Sequence, residues 1–305
     1  MRPPKINRTN RTNRINRTNR TTRTDLSDPH ALRAVLDRHG VRAAKGIGQH
    51  FLVDRSALAA IVDAAELSER DDVLEIGPGP GVLTAALADR ARSVTAVEID
   101  ERMVAVLRDT VGDRDNVRIV RADALEVDLY AITPRPATRI VANLPYQITS
   151  PLLIRFLEDA RRAPLIVVLV QEEVAQRIMA QPGEAKARGF LSVFVQSFAD
   201  PRIVRRVPAR SFRPPPKVDS AIVALRTRAT PAFAPLDRSA FLALVSDAFR
   251  HRRKQLRSAL GFEAGVGKDR AEAALRAAGI EPTRRPEELT IAEWVGLVSA
   301  LGHPR

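Results

Sequence analysis

The 305-residue chain contains no cysteine. This absence excludes disulfide bonds, thiolate zinc sites, iron–sulfur clusters and catalysis by a cysteine nucleophile. Histidine is also scarce, and the five residues lack the spacing of a metal site: His30, His39, His50, His251 and His303. We therefore expect no bound metal.

Aromatic residues and long apolar runs are few as well. Aromatic residues make up 4% of the sequence. The apolar run at 164–170 is far shorter than the roughly 20 residues that a membrane helix requires. The hydrophobic share of 45% is nevertheless ample for a buried core, and the length suggests two domains. The sequence therefore predicts a soluble, cytoplasmic protein without a membrane span.

The charge is strongly positive, +13 at pH 7, and it is unevenly distributed. Residues 1–24 hold seven Arg, one Lys and no acid in a repeat of Asn-Arg-Thr, which leaves +5 for the rest. A basic chain indicates a polyanionic partner, with nucleic acid the first candidate. The repeat has no apolar periodicity and predicts a disordered tail. Its role as an RNA-touching arm, a transit peptide or a neutral expansion stays open.

Short β-rich apolar segments alternate with segments of helical periodicity in the first half of the chain. The strand-like segments are 73–76, 94–99, 117–120, 139–142 and 165–170. Buried strands separated by helices predict an α/β fold with a parallel, doubly wound sheet. Two further strand-like runs, 203–207 and 221–225, have no clear helix between them and predict an antiparallel addition at the sheet edge.

The C-terminal part of the sequence has a different pattern. From residue 237 onward apolar residues recur at helical spacing, and Pro231 and Pro235 mark the junction. This pattern predicts a small helical bundle. The expected organisation is a disordered tail at 1–24, a sheet domain at 25–230 and a helical domain at 231–305.

Three strand ends in succession carry residues suited to an adenosine. Gly77, Gly79 and Gly81 form a turn between the first strand and a helix, and glycine there lets a ligand approach the backbone. Glu98 ends the second strand, where a carboxylate can accept from both ribose hydroxyls. Asp123 ends the third strand and could accept from an adenine amino group. The turn has no cation for a triphosphate, which favours S-adenosyl-L-methionine as the cofactor.

The fourth strand ends in a motif that points to a reaction. Asn-Leu-Pro-Tyr at 143–146 resembles the motif of methyltransferases that act on exocyclic amino groups. The chain is similar to the small-subunit (16S) ribosomal RNA adenine N6-dimethyltransferase family, the KsgA/RsmA type, from about residue 26 to the C-terminus. The matching segments are Gly-Gln-His-Phe-Leu-Val-Asp at 48–54, Glu-Ile-Gly-Pro-Gly at 75–79, Val-Glu-Ile-Asp at 97–100, residues 143–153, and Phe-Arg-Pro-Pro-Pro-Lys-Val-Asp-Ser at 212–220.

The resemblance implies a fold, a reaction and a partner. The fold would be a Rossmann-like S-adenosylmethionine-dependent methyltransferase sheet with a small C-terminal helical domain. The enzyme would act on the small ribosomal subunit. It would dimethylate N6 of two adjacent adenosines in the 3′-terminal hairpin of 16S rRNA during subunit maturation. Separately from the resemblance, we expect a monomer.

The motif also assigns residues to the reaction. The Asn143 side chain and the backbone carbonyl of Leu144 or Pro145 would accept the two hydrogens of the target amine. The resemblance implies that Tyr146 and Phe212 stack on the two faces of a flipped base. It also implies that His50 and Leu52 contact the cofactor beside Gly77, Gly79, Glu98, Asp123 and Asn143.

Candidate RNA contacts are basic residues whose interactions would be mostly with phosphate. The segment 252–257 resembles the basic helix of the family. The candidates are Lys45, Arg213, Lys217, Arg252, Arg253, Lys254 and Arg257.

Three other functions stay open on the sequence alone. The erythromycin-resistance methylases catalyse the same reaction on large-subunit RNA, but they usually read Asn-Ile-Pro-Tyr. A non-catalytic RNA-binding factor with this fold is disfavoured by the intact motif. A dehydrogenase is disfavoured because its glycine turn is spaced G-x-G-x-x-G.

Overall fold

The computed structural model of the chain describes residues 25–41, 50–263 and 266–302. The predicted tail at 1–24 and the candidate RNA contact Lys45 lie outside this part of the chain. Within it, no helix is both long and apolar enough to cross a membrane.

A seven-stranded sheet forms the centre of the fold. The strands of the described residues are β1 (Phe51–Leu52), β2 (Asp72–Ile76), β3 (Ser93–Glu98), β4 (Val117–Arg121), β5 (Arg139–Asn143), β6 (Leu165–Gln171), β7 (Ala199–Val207), β8 (Phe212–Arg213) and β9 (Ser220–Thr227). The order in the sheet is β4-β3-β2-β5-β6-β9-β7. The first five of these strands are parallel, whereas β9 is antiparallel to both β6 and β7.

Helices cover both faces of this sheet and form the C-terminal part. They are α1 (Pro29–Arg38), α2 (Arg55–Ala64), α3 (Val82–Ala88), α4 (Glu101–Val111), α5 (Thr149–Glu158), α6 (Glu172–Met179), α7 (Phe190–Phe198), α8 (Arg238–Arg250), α9 (Leu256–Glu263), α10 (Lys268–Ala277) and α11 (Ile291–Leu301). The predicted α/β class and the antiparallel edge are thereby confirmed. The short β1–β8 pair was not predicted from the sequence.

Aspartates begin several of these helices. The side chains of Asp28, Asp54, Asp100 and Asp237 each accept a backbone N–H from the first turn of α1, α2, α4 and α8. Such caps satisfy donors that the helix leaves unpaired. The cap at Asp100 leaves the preceding acid, Glu98, for another role.

The C-terminal helices share an apolar core with the sheet. Phe233 follows β9 and packs edge-on against Phe198 of α7, with ring centroids 5.3 Å apart. Phe233 also stacks on Phe241 of α8 at 4.8 Å. The core is therefore continuous across the domain boundary predicted near residue 231.

Arg188 connects the loop between α6 and α7 to the C-terminal segment, although it is only 1% exposed. Its guanidinium donates to the backbone carbonyls of Ala180 at 2.7 Å and Leu289 at 3.0 Å, and to Gln196 Oε1 at 3.2 Å. These bonds offset part of the cost of burying the charge, although Nε has no partner among the described residues. No sequence pattern indicated this role.

The basic segment after α8 is not a helix, contrary to the prediction. Helix α8 ends at Arg250 and α9 begins at Leu256, so Arg252, Arg253 and Lys254 lie in the connecting turn. Only Arg257 of the predicted set lies on α9. The turn is compact because the backbone N–H of Lys254 donates to the His251 carbonyl at 2.7 Å.

Candidate active site

A cavity of about 340 Å³ opens at the carboxyl ends of the parallel strands. This edge is where open α/β sheets place their ligands. Residues from β1, from the ends of β2, β3, β4 and β5, and from the segment after β5 line it. Among them are His50, Leu52, Glu75, Gly77, Gly79, Glu98, Asp123, Asn143, Leu144, Pro145 and Tyr146. The structure therefore brings together the predicted cofactor residues and most of the predicted catalytic ones.

The glycine turn adopts backbone conformations that favour glycine. The φ angles of Gly77, Gly79 and Gly81 are 65°, 53° and 90°. A Cβ atom on Gly79 would lie 3.1 Å from the Phe51 ring, and one on Gly81 would lie 2.9 Å from Leu107 Cδ1. A side chain at either position would thus strain the turn. The one at Gly79 would also push on Phe51, which lines the cavity.

Glu98 lies at the end of β3 with 7% of its surface exposed. Its Oε1 accepts the backbone N–H groups of Ile99 at 2.9 Å and Asp100 at 3.0 Å, and its Oε2 accepts that of Gly79 at 3.3 Å. Burial raises the pKa of this carboxyl group. The three bonds hold the carboxylate at the cavity, where Oε2 keeps capacity for a further donor.

Glu75 is a site residue that the sequence analysis quoted within a motif but did not assign. It lies on β2, lines the cavity and is 1% exposed. Its Oε2 is buried without a hydrogen-bond partner among the described residues. Burial, together with the negative charge of Glu98, raises the pKa of Glu75 to about 8. A buried, unpartnered carboxyl is costly on its own and fits a ligand that brings a positive charge or a donor.

Asp123 follows β4 and lines the other end of the cavity. Its Oδ1 accepts the backbone N–H of Leu125 at 2.7 Å, which fixes the side chain. Its Oδ2 has no partner among the described residues. Together, Glu75, Glu98 and Asp123 place three carboxyl groups along the cavity, and the glycine turn gives backbone access. These features fit an adenosine ligand with a cationic end, as in S-adenosyl-L-methionine. Within the described residues, no group of three or more potential ligands could hold a metal ion.

Two residues at the end of β5, Asn143 and Leu144, line the cavity and each keep an oxygen atom as an acceptor. The Asn143 side chain donates through Nδ2 to the backbone carbonyl of His50 at 3.1 Å, which leaves Oδ1 as an acceptor. The backbone N–H of Leu144 donates to the Leu169 carbonyl at 3.1 Å. The Leu144 carbonyl has no partner among the described residues. The Pro145 carbonyl, in contrast, already accepts from the Ile148 N–H at 3.2 Å and the Thr149 hydroxyl at 3.1 Å. Leu144 therefore offers the freer of the two carbonyls.

Tyr146 begins a 3₁₀ helix and is held from two sides. Its hydroxyl shares a hydrogen bond of 2.8 Å with Ser220 Oγ at the start of β9. The ring stacks with His50, with centroids 5.7 Å apart and planes inclined by 27°. His50 Nδ1 lies 2.8 Å from the Pro214 carbonyl oxygen. His50 thus packs on the predicted base-stacking ring as well as lining the cavity.

Phe212 is not brought to the cavity. It pairs with Leu52 in the β1–β8 ladder, and its side chain is 0% exposed within the apolar cluster that includes Ile61 of α2. In this conformation the ring has no face available to a base. Its position supports β1, which carries His50 and Leu52 to the cavity.

The candidate RNA contacts within the described residues do not line the cavity. Arg213 and Lys217 are exposed in the segment between β7 and β9, and the Arg213 guanidinium donates to the carbonyls of Arg210 and Phe212. Arg252 donates to the Ala185 carbonyl. The remaining predicted contacts are exposed at the turn after α8 and on α9: Arg253, Lys254 and Arg257.

Comparison with known sequences agrees with this site. A profile of the ribosomal RNA adenine dimethylase family matches residues 40–302. A Streptococcus pneumoniae protein named ribosomal RNA small subunit methyltransferase A is 43% identical over 284 residues, which cover 90% of this chain and 98% of the relative. A protein of the same name from Ligilactobacillus salivarius is 42% identical over 285 residues, which cover 91% and 96%.

Solved structures show the same fold. A dimethyladenosine transferase from Plasmodium falciparum superposes with a TM-score of 0.71 at 26% identity, covering 81% of this chain and 96% of the other. The 23S rRNA methyltransferase ErmE superposes with a TM-score of 0.62 at 33% identity, covering 82% and 99%. Because the profile and the relatives extend over most of its length, this chain is a methyltransferase that belongs to the ribosomal RNA adenine dimethylase family.

Proposed function

We propose that this chain transfers methyl groups from S-adenosyl-L-methionine to N6 of two adjacent adenosines in the 3′-terminal hairpin of 16S rRNA. The reaction belongs to the maturation of the small ribosomal subunit. The observation that carries the proposal is the pair of unpartnered acceptors, Asn143 Oδ1 and the Leu144 carbonyl, at the cavity that holds Glu75 and Glu98. The choice of the small subunit rests on the names of the relatives at 42–43% identity.

The cofactor would occupy the half of the cavity formed by β2, β3 and β4. Glu98 would accept hydrogen bonds from the ribose hydroxyls, and Asp123 Oδ2 would accept one from the adenine amino group. Glu75 lies where its unpartnered oxygen can offset positive charge on the ligand. S-adenosyl-L-methionine, when bound, supplies an electrophilic methyl group on a sulfonium centre.

The target amine requires help because its lone pair is delocalised into the adenine ring. Asn143 Oδ1 and the Leu144 carbonyl each accept one hydrogen bond from the amino group. These two bonds draw the nitrogen toward a tetrahedral geometry and expose the lone pair. Pro145 restricts the turn that positions the Leu144 carbonyl. The reaction then depends on positioning rather than on a strong base.

The target base must leave its helix to reach these acceptors. Tyr146 provides the stacking surface, because its ring lines the cavity next to Asn143. Phe212 would stack on the base only after moving out of the core, so its proposed role here is support of β1. Leu52, on β1, would contact the cofactor together with His50.

RNA binding is assigned to Lys45, to basic residues between β7 and β9, and to basic residues of the helical segment 231–305. The set comprises Lys45, Arg213, Lys217, Arg252, Arg253, Lys254 and Arg257. Phosphate contacts of this kind supply affinity and orientation, while the cavity selects the base. We propose that the protein acts as a monomer in the cytoplasm, where its ribosomal substrate is assembled.

One assay tests the proposal directly. The protein is incubated with radiolabelled S-adenosyl-L-methionine and either immature small or immature large subunits, and the labelled base is mapped. We expect label on two adjacent adenines of the small subunit. Label on the large subunit would instead identify the activity of the erythromycin-resistance methylases. The absence of label from both subunits would overturn the proposed substrate.

A further inference from the structure

The edge strand β7 and the segment that follows it carry a row of cations. Only two of them, Arg213 and Lys217, are among the RNA contacts of the proposed function. We call this row the basic edge. All six side chains are exposed: Arg202, Arg205 and Arg206 on β7, Arg210 in the 3₁₀ helix, Arg213 on β8, and Lys217 before β9.

Little of the positive charge on the basic edge is neutralised. Among the described residues only Arg206 has a carboxylate partner, Glu172 of α6, at 3.1 Å. Arg205 donates to neutral atoms, the Ser56 carbonyl and hydroxyl, both at 3.0 Å. Arg202 and Arg210 have no side-chain partner within the described part of the chain. The nearby Asp219 instead accepts the backbone N–H of Ala209 at 2.8 Å.

The basic edge leads to the half of the site that receives the base. Strand β7 runs antiparallel to β9 and ends at Val207, which pairs with Ser220. Ser220 hydrogen-bonds to the Tyr146 hydroxyl. The β7 part of the row therefore follows the outer edge of the sheet, and β7 ends opposite Ser220, the residue that holds the Tyr146 hydroxyl.

Cations on an edge strand also prevent pairing with a second sheet, which is an alternative reason for the arginines on β7. The opposite edge strand, β4, achieves that protection with two arginines, of which Arg121 pairs with Glu101 at 3.1 Å. The basic edge holds more charge than this and continues beyond the strand. The bulge after Ile203 places Arg202 opposite Ala224 and Arg206 opposite Ala221. This part of the row therefore extends about 10 Å at roughly 3.3 Å per residue, a length that spans a few phosphates of one strand.

We propose that the basic edge binds the phosphate backbone of the substrate RNA and guides the target strand to Tyr146. This inference rests on the proposed function and adds a second contact surface to the turn after α8. It assigns the RNA contacts to Arg202, Arg205 and Arg210 in addition to the cations nearer the cavity.

The test removes three cations that lie outside the cavity. In R202Q/R205Q/R210Q, affinity for undermethylated small ribosomal subunits is measured by filter binding between 50 and 200 mM KCl. Each lost phosphate contact lowers the slope of log K against log salt by about 0.7 to 0.9, so the slope should fall by about 2 to 3. The KM for subunits should rise, and kcat at saturating subunits should stay within twofold.

A matched control removes the same charge from the other side of the fold. R90Q/R108Q/R118Q changes three exposed arginines at α3, α4 and β4 that have no carboxylate partner among the described residues. This variant should keep the wild-type slope. The double variant R202Q/R210Q breaks no hydrogen bond or ion pair of the side chains among the described residues, so it keeps the test valid if the loss of Arg205 impairs folding.

Each result decides the proposal. Wild-type slopes in both basic-edge variants, with normal methylation, would overturn the RNA path and leave the proposed function intact. Self-association of the variants at a wild-type slope would also overturn it and show that the cations block edge pairing. Failure of the wild-type protein to bind or methylate small subunits would overturn the proposed function and this inference with it.

Discussion

The Asn143 carboxamide donates through Nδ2 to the backbone carbonyl of His50 at 3.1 Å. An amide nitrogen donates and does not accept, so this bond decides which atom of the side chain remains for a substrate. The remaining atom, Oδ1, is an acceptor and suits an amine that must lose its planar geometry. A backbone carbonyl supplied by residue 50 thus orients a side chain 93 positions later in the chain.

Replacement of Asn143 by alanine should abolish methyl transfer while cofactor affinity stays within a few fold. The reason is that Oδ1 acts on the amine, although the residue also borders the cofactor. Single-turnover methylation and calorimetry of cofactor binding measure the two effects separately. Asn116→Ala is a matched control, because its amide donates to the Ala88 and Ala91 carbonyls outside the cavity. Wild-type turnover in Asn143→Ala would contradict the assignment, and a large loss of cofactor binding would make Asn143 a cofactor residue.

Tyr146 should act through its ring and not through its hydroxyl. Tyr146→Ala removes a stacking surface worth about 1–3 kcal/mol per base and should raise KM for the subunit or abolish transfer. Tyr146→Phe keeps the ring and loses only the bond to Ser220. It should retain activity at a stability cost of about 1 kcal/mol, measured by urea unfolding. Equal loss of activity in both variants would assign the catalytic effect to the hydroxyl.

Glu98→Ala should weaken cofactor binding by roughly 1.5–3 kcal/mol, which is roughly tenfold to a hundredfold in affinity. The alanine also leaves three backbone N–H groups without their acceptor, so stability should fall as well. Glu98→Gln keeps one acceptor oxygen and separates these effects. Calorimetry and thermal unfolding of both variants provide the measurement. Unchanged affinity in Glu98→Ala would show that the residue only ends the strand.

Glu75 should make the stability of the unliganded protein depend on pH. Its pKa is about 4.3 in an unfolded chain and about 8 in the folded protein. Between these values the folded state holds a proton that the unfolded state has lost, so the free energy of unfolding falls as pH rises. Glu75→Gln does not ionise, and its stability relative to the wild type should therefore increase from pH 5 to pH 8.5. Urea unfolding at several pH values measures the difference.

The same group should couple cofactor binding to pH. Binding of a cation beside Glu75 favours the ionised carboxylate, so the affinity for S-adenosyl-L-methionine should rise with pH up to about 8 and then level off. In Glu75→Gln this rise should disappear. A wild-type rise that persists in the glutamine variant would assign the titration to another group.

The sequence was informative wherever a local pattern carried the information. Apolar runs separated by helical periods predicted the parallel sheet, and residues at the strand ends then had to meet at one edge. This reasoning placed Glu98, Asp123 and Asn143 around one cavity, and the structure agrees. The reaction was predicted from the resemblance to known motifs, because composition and periodicity carry no information about it.

Contacts between distant segments decided which of the candidate groups are available to a ligand. The motif predicts that Phe212 stacks on a base, but Phe212 pairs with Leu52 and its side chain is buried in the core. The Pro145 carbonyl is occupied by donors of the following helical turn, and Glu75 is left unpartnered because of what surrounds it in space. Local sequence determines which groups are available, whereas burial and hydrogen-bond partners arise only when remote segments pack together. The chemistry left to each group therefore depends on the tertiary structure.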